Sequence, residues 1–238
     1  MDKREFIKTG VLGIAGLAAV PAIARNSFGT ARSLVNIPQL PYKFNSFSTF
    51  LSEKNLQKHY SLYIDAAEEL KADLSLSLNK ISKVRDIFLC PDRFDNSTIK
   101  TAGTYFNHKI FFKTLTPKGS EIQNASLNKA IIDDFGSFEN FRNQFENAAL
   151  NLNTHGWVWL TYKNNRLFIS ATKEDENPFL KSLPKESRGF PVLGLDVWKH
   201  AYSFDYGNKS EGYIKNFLYF VDWKFIERRY NRALKTIV

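Results

Sequence analysis

The N-terminal half of the chain shows helical spacing interrupted by polar breaks. Over residues 47–71, apolar side chains recur every three or four positions, the spacing that places them on one face of a helix. Residues 73–92 are less regular and predict either a second helical piece or a loop followed by a helix, with breaks at Pro91 and at 95–98. A third helix is predicted over about 99–112. We therefore expect this half to be helical.

The C-terminal half mixes strand patterns with helices. Two helices are predicted around a break at Gly136, with Ser137 as the N-cap of the second helix. Two strands follow, joined by a tight turn at Asn164 and Asn165, and a long polar loop over 174–191 leads to a third strand, VLGLDVW. A helical pair, YIKNFLYFVDWKFIERRYNRAL, completes the pattern.

Helices followed by an antiparallel sheet among further helices indicate the α+β class. We predict an N-terminal helical hairpin domain over 39–116 and an α/β domain with a three-stranded antiparallel sheet over 117–238. The boundary between them falls in TLTPKGSE, where Pro, Gly and charged residues separate two periodic segments.

The N-terminus has the pattern of an export signal. Residues 1–24 combine a charged start, the apolar run VLGIAGLAAV and the small-residue cleavage pattern AIA, and residues 25–38 resemble a linker. The apolar run is too short for a comfortable bilayer span, so no stable membrane anchor is expected after cleavage. The stretch KREFIK resembles the twin-arginine signature with Lys3 in place of the first Arg, which leaves both export routes open. We expect an exported bacterial protein, periplasmic or secreted.

Composition narrows the function classes. The 238 residues are 43% hydrophobic, which suits a globular protein and not a disordered one. The single cysteine, Cys90, excludes a disulfide within the chain and a cysteine-bound metal cluster, and we expect a small buried residue there. The formal net charge of +9 is spread along the chain without a nucleic-acid motif, so no nucleic-acid partner is expected. Such diffuse charge attracts small anionic substrates.

Four histidines are the first candidates for chemistry. Three of them, His59, His108 and His200, lie in apolar helical or strand-end contexts, and Asp196 precedes His200 by four residues. Histidines in such contexts are usually hydrogen-bonded core residues. Three imidazoles and a carboxylate can instead form a metal site with three nitrogen ligands and one oxygen ligand. Spacing alone leaves both interpretations open.

Several stretches, in order along the chain, resemble the iron/manganese superoxide dismutase family. LGLDVWKHAY resembles the family pattern D-x-W-x-H-A-Y, and NHKIFF resembles its N-H-x-x-[FY]-[FW] element. LPYKF, NLQKHYSLY, DDFGSFENFRNQFENAA, HGWVWL and GFPVLGLDVW are similar to further elements of the family. The likeness covers most of the chain after the linker.

The resemblance implies a metal site and an activity. His59, His108, Asp196 and His200 would hold one Fe or Mn ion per chain, and superoxide would be the substrate, converted to oxygen and hydrogen peroxide. No catalytic group is implied beyond solvent bound to the metal. His155 matches no ligand position and is expected to be structural. Two alternatives remain: a metal-binding relative with little or no turnover, and a basic protein that binds acidic polymers.

The outer parts of the implied site depart from the family pattern. Trp157 and Trp198 match the aromatic residues around the metal. The family has His and Tyr four and eight residues after the first His ligand, at the entrance for substrate, and this chain has Tyr63 and Ala67. We hypothesise that Tyr63 supplies the missing phenol.

Two further departures concern a glutamine and the subunit interface. The family Gln that hydrogen-bonds metal-bound solvent corresponds to Thr104 or, with a one-residue gap, to Glu174. Lys199 and Ser203 replace a Glu and a Tyr that reach across the family dimer. An ammonium cannot accept a hydrogen bond from an imidazole N–H, and two lysines near a two-fold axis repel each other. We therefore expect the usual dimer to be altered or absent.

Overall fold

The computed structural model of the protein describes residues 34–37, 39–78, 80–123 and 125–236. The predicted export signal and most of the predicted linker lie outside these residues. Within the described part of the chain, every helix is too short or too polar to cross a membrane.

Three helices form the N-terminal half. They are α1 (Glu53–Leu76), α2 (Arg85–Leu89) and α3 (Asn96–Thr114), with short 3-10 turns at Phe44–Phe47 and Pro91–Arg93. Helix α1 begins later than predicted because the Ser52 side chain accepts a hydrogen bond from the Asn55 backbone N–H and caps the helix. Asp95 caps α3 in the same way through Thr98. A loop leads from α1 into α2, which was one of the two alternatives for 73–92.

Helices α1 and α3 pack against each other in opposite directions. Tyr60 of α1 lies near Phe112, with ring centroids 5.0 Å apart, and one turn later Tyr63 lies near Tyr105 at 5.5 Å. Residues later in α1 therefore contact residues earlier in α3, as in an antiparallel pair. The expected helical hairpin is confirmed, and its inner face is aromatic and buried.

The C-terminal half contains the predicted three-stranded antiparallel sheet. Its elements are α4 (Ala125–Phe135), α5 (Phe138–Leu150), β1 (Gly156–Lys163), β2 (Arg166–Lys173), β3 (Phe190–Asp196), α6 (Lys199–Tyr206), α7 (Glu211–Phe217) and α8 (Trp223–Ala233), with 3-10 turns at Lys185–Ser187 and Leu218–Phe220. The strand order is β2-β1-β3. Asn164 and Asn165 have φ of 49° and 61°, the left-handed backbone that a two-residue hairpin turn requires. Ser137 caps α5 as expected.

Strand β1 forms the centre of the core. Seven of its eight residues are buried, because α5 packs on β1 and β2 while α3 and α8 pack on β3. Gly194 of β3 leaves the space that the Trp159 ring fills, since a Cβ there would lie 2.4 Å from that ring. The strand that precedes the candidate Asp196 is therefore held in a closely packed layer.

Polar contacts join the end of α3 to the start of α8. The Thr116 N–H donates to the Phe220 carbonyl at 2.8 Å, and the Asp222 N–H donates to the Thr114 carbonyl at 2.7 Å. The predicted boundary segment TLTPKGSE is therefore paired with the chain that leads into α8. These bonds join α3, which carries His108, to the turn that leads into α8.

Three local expectations differ from the structure. Cys90 is exposed and not buried, because it ends the five-residue helix α2 at the surface. The loop over 174–191 is not polar throughout, since Phe179 packs on Phe190 and is buried. Helix α6 was not predicted at all, although it carries His200.

Candidate metal centre

Four side chains from four secondary-structure elements meet in the core. His59 lies in the second turn of α1, His108 in α3, Asp196 at the end of β3, and His200 at the start of α6. One potential ligand atom from each residue lies within 4.8 Å of the others. We call these four residues the His3Asp cluster. Within the described residues, no other group of three or more His, Cys, Asp or Glu side chains is arranged to hold a metal ion.

The helical hairpin and the end of the sheet bring the cluster together. Antiparallel packing of α1 on α3 places the His59 and His108 rings 4.9 Å apart, nearly perpendicular to each other. After β3 ends, the Trp198 N–H donates to Asp196 Oδ1 at 2.8 Å, which turns the chain into α6. The turn places His200 next to the same carboxylate, with His200 Nε2 3.1 Å from Asp196 Oδ2.

A single carboxylate oxygen is the centre of the cluster. Asp196 Oδ2 lies 3.1 Å from Nε2 of His59, 3.1 Å from Nε2 of His200 and 3.6 Å from Nε2 of His108. The backbone carbonyl of Asp196 is held by the buried Tyr213 hydroxyl, which donates to it at 2.9 Å. All three imidazoles therefore present the same nitrogen to the same point.

His108 provides a test of whether a metal ion fits. Its Nδ1 lies 2.7 Å from the Thr104 carbonyl, which can only accept, so Nδ1 carries the proton and Nε2 carries a lone pair. Nε2 of His108 is buried and has no hydrogen-bond partner among the described residues. A metal ion at the centre of the cluster would satisfy this nitrogen, and a backbone bond of this kind is the usual way of orienting a ligand imidazole.

The protonation states also suit metal binding. Burial, followed by the neighbouring His59, lowers the pKa of His108 to about 3. Burial lowers the pKa of His59 too, although Asp196 opposes the change. Burial alone would raise the pKa of Asp196, but its interactions with His200 and His59 outweigh that effect and hold the pKa well below its ordinary value. Neutral imidazoles and an ionised carboxylate are the forms that coordinate metals.

Aromatic side chains enclose the inner side of the cluster. Trp157 lies against His108 with ring centroids 5.3 Å apart, as the sequence predicts for a residue near the metal. Phe111 and Phe112 lie 4.8 and 5.1 Å from the His59 ring. These rings exclude water from the side of the cluster that faces the core.

The outer side of the cluster is a stack of rings that reaches the surface. Trp198 stacks on His200 with centroids 5.5 Å apart, and His155 stacks on Trp198 at 4.7 Å. The His200 side chain is 25% exposed, whereas those of the other three cluster residues are at most 1% exposed. His155 thus has a contact with the site that its sequence position did not reveal.

The structure does not bring the hydroxyl of Tyr63 to the cluster. The Tyr63 ring packs among Tyr60, Tyr105 and Phe112. Its buried hydroxyl is directed toward Tyr105 without a well-formed hydrogen bond, and burial raises its pKa well above the ordinary value. Ala67 is fully buried and offers no phenol. Phe112, which packs on the Tyr63 ring, also packs on the ring of His59.

The two positions expected to replace the family Gln behave differently. Glu174 turns away from the cluster, since its side chain is 64% exposed and lies 3.7 Å from Lys100 in an ion pair. Thr104 holds His108 through its backbone carbonyl. The next residue, Asp175, is half-buried, and burial raises its pKa to about 6. The assignment of the family Gln position to Thr104 or Glu174 stays a prediction.

Lys199 and Ser203 lie on α6, beside the exposed edge of His200. Lys199 is exposed and Ser203 is half-buried. Nearby, the Lys54 ammonium lies 4.5 Å from the centroid of the exposed Phe204 ring, so this face also carries positive charge from α1. The expectation of an altered dimer stays a prediction.

Fold and site together define a class of metalloprotein. A helical hairpin supplies two histidines, and the end of an antiparallel sheet supplies an aspartate and a third histidine, for a single ion. A family model described as the C-terminal domain of iron/manganese superoxide dismutases matches residues 123–229.

Curated relatives are similar over most of their length. The chain is 32% identical to a superoxide dismutase (Mn) of Buchnera aphidicola, over 81% of this chain and 97% of the relative. It is 33% identical to a superoxide dismutase (Mn) of Salmonella typhimurium, over 79% and 93%. It is 31% identical to superoxide dismutase (Mn) 3 of Leptolyngbya boryana, over 84% of each chain. The protein belongs to the iron/manganese superoxide dismutase family.

Proposed function

We propose that the protein is a superoxide dismutase with one Fe or Mn ion held by His59, His108, Asp196 and His200. The observation that carries this proposal is the convergence of three imidazole Nε2 atoms on Asp196 Oδ2, together with the unpartnered Nε2 of His108. A redox-active ion bound there supplies one-electron chemistry, in which one superoxide gives up an electron and a second one takes it. Family membership and the names of the relatives support the same activity.

The protein's own residues have three tasks in this reaction. The neutral imidazoles of His59 and His108 donate lone pairs whichever oxidation state the ion has, and Asp196 offsets part of its positive charge. Trp157 and its neighbours keep the inner side dry, so charges at the centre interact strongly. The partly exposed ring of His200 marks the side on which a small anion approaches.

A second candidate function is metal binding with little or no turnover. It is favoured by one observation, which is that the phenol of Tyr63 does not reach the cluster and position 67 is an alanine. Loss of outer groups commonly lowers the activity of a metal site without abolishing it, and for this reason we place dismutase activity first.

The location of the protein is proposed from its first 24 residues. Their charged start, apolar run and small-residue cleavage pattern support export to the periplasm or the medium. A fusion of residues 1–24 to an enzyme that works only outside the cytoplasm tests this. Reporter activity with loss of the 24 residues supports export, and a cytoplasmic, uncleaved fusion contradicts it.

Stopped-flow measurement of superoxide decay tests the proposed activity. Protein of known Fe or Mn content is compared with free metal in the same buffer, and the rate is expected to rise in proportion to bound metal. His108→Gln should lose both metal and activity, while His155→Gln, on the outer ring stack, should keep its metal. Fully loaded protein with no more activity than buffer would contradict the dismutase and favour the metal-binding relative.

A further inference from the structure

The His200 ring is held differently from the ring of His108. The Thr104 carbonyl lies 2.7 Å from His108 Nδ1 and orients that ring from behind. His200 Nε2 lies beside Asp196, but no hydrogen bond to His200 Nδ1 occurs within the described residues. The preceding residue, Lys199, carries an ammonium group, which has donors but no acceptor. The orientation of the His200 ring therefore depends on the side chains packed against it.

On the outer side of the cluster, the Trp198 ring packs on His200. The two ring centroids are 5.5 Å apart and the ring planes are inclined by 25°. The Trp198 indole N–H donates to the Glu174 carbonyl at 3.3 Å. Because this bond is long and lies at one edge of the ring, it leaves the plane of the indole free to tilt. A contact across the face of the indole is needed to hold the plane.

His155 supplies this contact. The His155 and Trp198 ring centroids are 4.7 Å apart and the ring planes differ by only 8°, so the two rings stack in parallel. His155 is exposed, while Trp198 is half-buried. The outer ring stack thus runs from His155 at the surface through Trp198 to the ligand His200.

Backbone hydrogen bonds hold the two outer members of this stack together. The Glu174 N–H donates to the His155 carbonyl at 2.9 Å, and the Glu174 carbonyl accepts the bond from the Trp198 indole. The next residue after His155, Gly156, begins β1, and its carbonyl accepts a hydrogen bond from the Val197 N–H at 3.0 Å. The backbone around His155 is therefore joined both to the chain after β2 and to the chain after β3, which carries Trp198.

We propose that His155 is a positioning residue of the metal centre. Its ring keeps the Trp198 indole flat against His200 and so sets the orientation of the most exposed of the four ligands. The inference rests on the proposed metal-dependent function and deepens it. His155 is not a ligand, and it acts through Trp198. Groups that orient a ligand imidazole change the properties of the bound ion although they do not bind it.

The test compares three variants of the protein loaded with ferric iron. His155→Ala removes the stacked ring, His155→Phe keeps a flat ring of similar size, and Thr154→Ala is the matched control on the exposed neighbouring residue. All three should load fully, as expected of His155→Gln, because the four ligands are unchanged. The electron paramagnetic resonance spectrum of the iron should change in His155→Ala and match the wild type in the other two variants. Transfer of iron to an excess of a strong chelator should be roughly tenfold faster in His155→Ala alone.

A second measurement does without the metal ion. In metal-free protein with isotopically labelled histidine, the nuclear magnetic resonance signal of the His200 ring is identified by its loss in His200→Gln. The ring current of the Trp198 indole shifts this signal because the two rings stack. We expect the signal to move in His155→Ala, to return in His155→Phe and to stay in place in Thr154→Ala.

Two results would overturn the inference. One is a His155→Ala protein with the iron spectrum, iron release and His200 signal of the wild type, even if urea unfolds it more easily, because His155 would then be only structural. The other is an equal change in His155→Ala and His155→Phe, since the stacked ring would then not matter.

Failure of the proposed function would look different. An iron spectrum that depends on the ring of His155, combined with superoxide decay no faster than in buffer, would overturn the dismutase function and support the positioning role. If the wild type bound no iron, the proposed function would fail, and the His200 signal of the metal-free protein would decide the inference.

Discussion

The inner cluster and its outer rim are built in different ways. Each member of the His3Asp cluster is placed by secondary structure and by backbone bonds, such as Thr104 O to His108 and Trp198 N to Asp196. The rim consists of side chains that reach the surface or stop short of the centre, including Tyr63, Lys199 and the exposed Glu174.

This contrast shows which parts of the site can change independently. Replacing a residue in the cluster leaves a buried polar atom without a partner, which is costly, whereas replacing a rim residue mainly changes what the surface presents. The four cluster residues are those that the family resemblance implies, while the departures of the rim from the family pattern stay predictions. Variants on each side of this division should therefore differ widely in effect.

The largest effect is expected from the cluster itself. Asp196→Asn keeps the shape of the side chain but removes the negative charge that lies next to three imidazoles. The affinity of the protein for the metal ion should therefore fall by roughly a hundredfold. Metal content after dialysis against a weak chelator measures this. The exposed carboxylate Asp133 provides a matched control, and Asp133→Asn should bind like the wild type. Equal metal retention in both variants would remove Asp196 from the ligand set.

A change at Gly103 tests the attachment of the loop to the cluster helix. Gly103→Ala would place a methyl group against the Asp175 carbonyl, and we expect a loss of about 2–3 kcal/mol in the free energy of unfolding. Urea unfolding measures it. Ser97→Ala, on the exposed side of the same helix, should change stability by less than about 0.5 kcal/mol. A stable Gly103→Ala protein would show that the loop does not need this close approach.

The pH dependence of stability tests whether Asp175 is held in an unfavourable environment. Its folded-state pKa is about 6 against an ordinary 3.8, so folding disfavours the ionised form. That cost is fully present above about pH 6 and disappears as the pH falls toward about 4. In metal-free protein, Asp175→Asn should therefore be more stable than wild type by about 1–2 kcal/mol at neutral pH and equal to it in acid.

The matched control for this measurement is Glu174→Gln, on the exposed neighbour. It should follow the wild type at every pH, since its side chain remains in solvent. A stability difference between Asp175→Asn and wild type that does not vary with pH would show that Asp175 has the same pKa in the folded and the unfolded protein.

The rim can be tested through self-association. Wild type should sediment mainly as a monomer at micromolar concentration, because Lys199 is exposed on α6 where the family pattern has a carboxylate. Lys199→Glu combined with Ser203→Tyr should strengthen dimerisation by about tenfold in Kd, a gain of about 1.4 kcal/mol. A tight wild-type dimer with Lys199 inaccessible to amine reagents would refute the expectation.

The smallest effect is expected at Tyr63. Tyr63→Phe removes a buried hydroxyl that has no well-formed hydrogen bond and does not reach the cluster, so superoxide decay should change by less than about twofold. The same stopped-flow assay decides this. A marked slowing confined to the proton-dependent phase would restore Tyr63 as the substitute for the missing phenol.

Sequence patterns predicted three of the four elements that form the cluster, α1, α3 and β3. The helical hairpin, the antiparallel sheet and the turn at Asn164 and Asn165 follow from spacing and turn chemistry, and the structure confirms them. The four cluster residues came from motif resemblance, and the structure brings them together. Regular spacing of apolar residues and the residue types that favour left-handed turns can both be recognised in a sequence.

The features that were missed depend on contacts between distant segments. Helix α6 is only eight residues long and is started by the bond from Trp198 N to Asp196, which no local pattern reveals. Glu174 was expected near the metal, but its side chain is exposed and pairs with Lys100, a contact between the loop after β2 and α3 that no local pattern shows. Cys90 was misplaced because a five-residue helix is too short to show which of its faces is buried.

One feature of β3 bears on how copies of the chain can meet. Strand β3 is at the edge of the sheet, contains Pro191, which has no N–H to offer, and shifts register opposite Leu160 and Thr161. The guanidinium of Arg229 from α8 donates to the carbonyls of Pro191 and Val192 at this irregularity. An incoming strand therefore finds neither a full row of donors nor free acceptors there. Around Pro191 this border is therefore a poor template for a strand of a second molecule.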